Sequence, residues 1–307
     1  MDCENQTSLT EFVLTGFPYP SHLRGPLFIF FLLVYLLTLL GNLVILLVVV
    51  FSSQLHKPMY WFLCHLSCLD LAVSSVVVPK IIAGFLENGG RLSFGGCVSQ
   101  LFFFHFLGCA ECFLYTLMAY DRFLAICKPL HYATIMNRKA CLFLAVGTWF
   151  GGCLHSALET ALIFRLPFGW RNRVNYIFCD IPAVLKLVCA DTSLNETVTM
   201  VDVGLVAVTC FFLILTSYVY IVSTVLKIHS AEGRQRAFST CSAHVILVVT
   251  YYVPLVFIYL RPGSQGPLDG MVAVFYTSLT PLLNPIIYTL RNKDIKIALM
   301  KLSSRTP

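Results

Sequence analysis

Acids and histidines set among apolar residues are the first sign of chemistry in this chain of 307 residues. Asp70 lies in "LSCLDLAVSS" (66–75), Glu111 in "LGCAECFLYT" (107–116) and Asp202 in "VDVGLVAV" (201–208). His105 follows three phenylalanines, and His244 sits in "CSAHVIL" (241–247). A charge held in hydrocarbon costs at least ~2.5 kcal/mol, so each such residue has to be paired, protonated or used. Asp70 and Glu111 read as the two deep acids. Brought close, two carboxylates repel until one takes a proton or a cation sits between them. Such a pair could also work as a general acid and base, but neither an HExxH zinc pattern nor a GxGD aspartyl pattern accompanies it. A hydrolase is therefore not the expected reading, and the chain is not expected to be an enzyme. Asp121-Arg122 closes an apolar run in "MAYDRFLAIC" (118–127). It is either a boundary marker whose arginine reaches the headgroups or one arm of a two-state contact.

The elements that must hold these residues are membrane helices. The chain is 58% hydrophobic and only 12% charged, against about a quarter charged in soluble domains. Its mean hydropathy is +0.80. Runs of about 20 apolar residues recur throughout. Seven spans are predicted, near 26–51, 59–82, 97–120, 141–164, 197–226, 242–260 and 270–290. The fold expected is an all-α seven-helix bundle in a single domain over 1–307. Residues 1–25 form the N-terminus, 26–290 the bundle and 291–307 the tail. No repeat divides the chain, and the deep acids cluster rather than line a path, which argues against a transporter or channel. The net charge of +6 is spread between apolar runs without a basic face, so nucleic acid is not an expected partner.

Thirteen Lys and Arg residues fall on one set of loops and the tail, and eight on the other set. The positive-inside rule puts the first set in the cytoplasm and the N-terminus outside, as expected of a multi-pass plasma-membrane protein. No cleaved signal peptide is expected. Asn5-Gln6-Thr7 is then a glycosylation sequon on the outer side, and Asn195-Glu196-Thr197 a second that abuts a span. Of 13 cysteines, Cys3, Cys97, Cys179 and Cys189 fall outside, where four cysteines allow three pairings. Pro285 removes a backbone donor from the last span and loosens it, and the neighbouring Asn284 could satisfy the freed groups. Beyond Arg291, Ile295, Ala298, Leu299 and Leu302 recur at helical spacing between lysines, predicting a short amphipathic helix on the inner leaflet.

"GNLVIL" (41–46), "HKPMYWFLCHLSCLDL" (56–71), "MAYDRFLAICKPLHY" (118–132), "RAFSTCSAH" (236–244) and "PLLNPIIYTLRNKDIK" (281–296) together resemble the odorant receptors, in their tetrapod-type (class II) branch, among the rhodopsin-like G-protein-coupled receptors. The resemblance covers essentially the whole chain. It implies a volatile ligand bound in the outer half of the bundle, and a stimulatory olfactory-type G protein as partner, raising cyclic AMP.

The resemblance also assigns residues. Cys97 and Cys179 would form the disulfide over the pocket. Phe104, His105, Gly108, Cys109, Cys112, Asp202, Val206, Tyr252, Leu255, Tyr259 and Thr277 would line that pocket. Asp202 would take a hydroxyl or phenol, or else bond the loop, and His105 would meet ligand or the loop. Asn42, Asp70, Glu111 and Asn284 would form a polar cluster able to hold an allosteric sodium ion, the only cofactor in prospect. Asp121, Arg122, Tyr218, His244, Asn284, Pro285 and Tyr288 would form the activation switch. In it Arg122 pairs with Asp121 at rest and with Tyr218 and the G protein when the sixth span moves out. Where many relatives carry a locking acid this chain has Arg234, so the resting state falls to other contacts involving His244 and Tyr218. Two departures stand out. Gly169 replaces the expected partner of Cys189, leaving Cys189 free or paired with Cys3. Tyr176 replaces a histidine of a proposed metal motif, which puts metal-dependent ligand binding in doubt.

Overall fold

The computed structural model describes residues 9–16, 19–87, 90–260 and 267–303. Asn5 and Cys3 lie outside the described residues. Among the described residues seven helices are long and apolar enough to cross a membrane: Ser21–Phe51, Pro58–Leu86, Phe94–Cys127, Arg138–Phe164, Ser193–Leu226, Cys241–Tyr259 and Leu268–Leu290. In chain order the helices are α1 (Arg24–Phe51), α2 (Pro58–Glu87), α3 (Phe94–Cys127), α4 (Pro129–Ile135), α5 (Arg138–Phe164), α6 (Ile181–Leu185), α7 (Ser193–Leu226), α8 (Ala231–Tyr259), α9 (Pro267–Val274), α10 (Thr280–Arg291) and α11 (Lys293–Ser303). A π turn, Phe275–Leu279, joins α9 to α10.

Two helices overrun the expected limits furthest. A Ser93 hydroxyl that accepts from the Gly96 amide starts α3 at 94, and the helix runs on to Cys127. Ser230 caps α8 in the same way, so the sixth helix begins at 231 instead of 242. The polar stretches "DRFLAIC" and "AEGRQRAFST" are good helix and simply continue below the hydrocarbon.

The bundle wears its grease outside. In α1 the polar Thr38 and Asn42 are buried while Leu36, Leu37, Leu40, Leu43 and Leu47 are exposed. A soluble helix would reverse this; lipid tails are as apolar as leucine and leave the inside to packing and hydrogen bonds. The centre is α3, packed on α2, α5, α7 and α8. Gly152 permits the α3–α5 contact: a Cβ there would lie 2.8 Å from the Phe106 carbonyl oxygen.

A small sheet caps one end. Strand β1 (Glu11–Leu14) pairs antiparallel with β2 (Gly90–Ser93) and parallel with β3 (Arg173–Val174). The Cys97–Cys179 disulfide fastens the same loop to the start of α3. At the other end α11 buries Ile295 and Ala298. Tyr60 ties it down by donating to Asp294 at 2.9 Å.

Candidate functional site

Between α3, α5, α7, α8 and the π turn lies a cavity of about 40 Å³. Its wall carries Phe104, His105, Gly108, Cys109, Cys112, Val206, Leu255 and Tyr259, all anticipated, together with His155, Val203, Ala207, Tyr251 and Tyr276. Ligand cavities run to about 300–1,000 Å³, so this one is contracted and an occupant has to push side chains apart. The lid is ordered by Asp180. Its carboxylate accepts from His105 Nε2 at 3.0 Å, from the Tyr259 hydroxyl at 3.0 Å and from the Ile181 amide at 2.8 Å. His105 is therefore on the wall, but its Nε2 serves the loop. Phe178 of the loop stacks on Phe104, with ring centroids 4.6 Å apart. Beneath the sheet, burial first and then the Asp180 and Asp269 carboxylates push the Tyr176 phenol up, so it remains neutral where the metal motif would need a ligand.

Three anticipated wall residues are elsewhere. Asp202 is off the cavity, because Val203 and Val206 take its helix's inward positions; its carboxylate meets His155 Nδ1 at 2.9 Å between α5 and α7. Tyr252 packs on Phe211 while Tyr251, one position earlier, faces the cavity and donates to the Gly108 carbonyl at 2.6 Å. Thr277 turns its hydroxyl back to the Ala273 carbonyl. The extra residue of the π turn shifts the register so that Tyr276 faces inward instead.

Deeper in, Asn284 Nδ2 donates to both Asp70 oxygens at 2.9 Å. The Tyr115 hydroxyl donates to Glu111 at 2.9 Å. Asn42 does not join them. It donates to the Thr38 and Pro281 carbonyls at 3.0 and 3.1 Å. The reason lies in Pro285. Its missing N–H orphans the carbonyl four residues back, which is that of Pro281. The expected helper, Asn284, is engaged with Asp70, so Asn42 of the first span supplies the donor. Gly41 makes the approach possible: a Cβ there would stand 3.0 Å from the Pro285 ring. The side-chain oxygens of Asn42 and Asn284 are buried without a hydrogen-bond partner. Asp70 and Glu111 are not the only buried acids in the spans either: Glu159 is buried too, and accepts from Thr199 at 2.9 Å.

The end of the bundle that carries α11 holds a larger cavity of about 570 Å³, lined by Asp121, Arg122, Tyr132, His244 and Tyr288 among others. The expected Asp121–Arg122 pair is not formed. Adjacent helix residues point about 100° apart and do not face each other. Asp121 instead accepts from the Tyr132 hydroxyl of α4 at 2.7 Å. Burial, followed by the Asp121 charge, pushes the Tyr132 phenol up, which keeps it a donor. Arg122 has a buried Nη2 with no hydrogen-bond partner. His244 joins three helices. Its Nε2 is 3.1 Å from the Tyr115 carbonyl and must donate to it, so Nδ1 accepts from the Tyr218 hydroxyl at 2.7 Å. Tyr288 is buried, its hydroxyl 3.9 Å from the Met118 sulfur.

The signal that could have found His155 and Glu159 was present. They stand four residues apart in an otherwise apolar fourth span, on one helix face.

Residues 31–305 match the family model described as olfactory receptor. Human olfactory receptor 10G6 is 63% identical over 298 residues, 97% of this chain and 90% of that protein. Human olfactory receptor 10G3 is 54% identical over 100% of this chain and 99% of that protein. Mouse olfactory receptor 10D1B is 52% identical over 96% of this chain and 95% of that protein.

Proposed function

Because the chain belongs to the olfactory receptor family, we propose that it is tuned to a phenolic or aromatic volatile and signals through a stimulatory olfactory-type G protein that raises cyclic AMP. The family is one of multi-pass plasma-membrane receptors that bind odorants, couple to G proteins and catalyse no reaction on the ligand. The observation that carries the ligand class is the wall of the outer cavity. It sets four aromatic rings, Phe104, Tyr251, Tyr259 and Tyr276, among aliphatic residues and a few polar groups, which suits a small ring bearing one polar group.

An odorant that fits only the expanded cavity stabilises the state in which the wall has parted, by its differential affinity for that state. The wall connects inward through α3. Tyr251 bonds Gly108, Tyr115 bonds Glu111, and the Tyr115 carbonyl holds His244. Movement of α8 breaks the Tyr218–His244 contact and opens the inner cavity, where Arg122 has an uncommitted donor for the G protein. The side of the membrane follows from the charge count, thirteen cations on the α11 side against eight on the sheet side, so that the sheet and Asn5 face outward.

A monovalent cation fits the deep cluster. Two buried carboxylates stand beside the Asn284 side-chain oxygen, which has no donor. Asp70, Glu111 and Asn284 would hold sodium, which would offset the carboxylate charge and favour the resting packing.

The test is a cyclic AMP assay of the full-length receptor against phenols, amines and aliphatic volatiles. Phenols are expected to be the most potent class. Potent amines with silent phenols would overturn the ligand class, and robust signalling without cyclic AMP would overturn the coupling.

A further inference from the structure

The cavity wall has very few polar atoms left to offer. His105 Nε2 and the Tyr259 hydroxyl are held by Asp180. The Tyr251 hydroxyl donates to the Gly108 carbonyl, and the Tyr276 ring packs on that of Tyr251 with centroids 5.4 Å apart. The Cys112 thiol meets Tyr251. Thiols such as Cys109 are in any case weak partners. His155 is different. Its Nδ1 is engaged at 2.9 Å by Asp202, and among the described residues its other ring nitrogen, Nε2, has no partner.

The group behind His155 is built rather than incidental. Glu159 lies four residues on, one helical turn along the same face. Thr199, on the facing helix, donates to Glu159 at 2.9 Å. The Asp202 carboxylate lies 2.9 Å from Nδ1 and can only accept, so Nδ1 carries its hydrogen. In the neutral ring Nε2 then has only its lone pair, and becomes an acceptor on the cavity wall.

We propose that His155 is the specificity-determining residue of this receptor, accepting a hydrogen bond from an odorant hydroxyl, and that Asp202 is a positioning residue that fixes the ring from outside the cavity. The proposal rests on the reading of this cavity as the site of a phenolic odorant. It moves the recognition of the hydroxyl from the carboxylate of Asp202 to the imidazole. A site built to accept from a hydroxyl discriminates strongly against an analogue that lacks one, because the acceptor is then left unpaired.

The experiment compares full-length receptors, normalised for surface expression, on cresols and methoxyphenols and on their O-methyl ethers. In the wild type the phenol should be at least about tenfold more potent than its ether, a ratio matching the loss of one hydrogen bond. His155→Leu should bring that ratio close to one while the ether still activates, which shows the variant is folded. His155→Gln, which keeps a side-chain acceptor, should restore part of the ratio. Asp202→Asn should lower the ratio in the wild type and change nothing further in the His155→Leu background. A ratio that survives His155→Leu, or an Asp202→Asn effect undiminished in that background, would overturn the assignment while leaving the ligand class standing. Silence of the wild type to every phenol would instead remove the ligand class and this assignment with it.

Discussion

The Asn42 side chain donates to the Pro281 carbonyl at 3.1 Å, and so repairs from the first span a break that Pro285 makes in the seventh. Replacing Asn42 by Leu leaves that carbonyl buried and unpaired, at a cost of about 1–3 kcal/mol. Surface expression should fall, and the purified receptor should melt several degrees lower. A Leu variant of wild-type stability would mean that the carbonyl has another partner.

The Tyr218 hydroxyl ties α7 to α8 through His244 at 2.7 Å. Tyr218→Phe removes the donor, and His244→Ala also releases the Tyr115 carbonyl. Both should raise cyclic AMP in the absence of odorant, His244→Ala the more so. Unchanged basal signalling in both variants would show that the closed state is held elsewhere.

Arg122 has a buried donor with no acceptor at rest. Arg122→Ala should abolish most odorant-stimulated cyclic AMP at unchanged surface expression. Wild-type signalling in this variant would remove Arg122 from the coupling step.

Asp121 is satisfied by Tyr132 and not by its neighbour. Tyr132→Phe leaves a buried carboxylate without its donor and loosens α4 from α3, and should lower maximal signalling several-fold with little change in odorant potency. The double variant Tyr132→Phe/Asp121→Asn should recover much of the loss. Failure of that rescue would place the role of Tyr132 elsewhere.

Gly152 is fixed by backbone contact. A valine there would drive its side chain against the Phe106 carbonyl and the Ala110 amide. Overpacking of this kind typically costs about 1–3 kcal/mol, occasionally more, so Gly152→Val should be retained inside the cell. Gly147→Val, five residues earlier and with open space around it, is the control that should traffic normally.

The seven spans are legible in sequence because the bilayer dictates how long an apolar run must be. Nothing comparable marks the inner extensions of α3 and α8, which leave hydrocarbon while remaining helix. The cap over the outer end could not be read, since strands of four and two residues carry almost no periodic signal. The third-span wall from Phe104 to Cys112 was accessible through resemblance. The π turn was not: one extra residue exchanges Thr277 for Tyr276, and no local pattern announces it. Asp202 stands out in the sequence as a lone acid, which reads as a contact to a ligand or to the loop. Its neighbour His155 comes from another helix, and only packing brings the two together.

The parallel pairing of β1 with β3 also has a consequence for biogenesis. Val13 meets Arg173, so about half of the chain is synthesised before that pairing can form. The sheet is therefore completed only after the fourth span, once β3 has emerged on the same side of the membrane as β1.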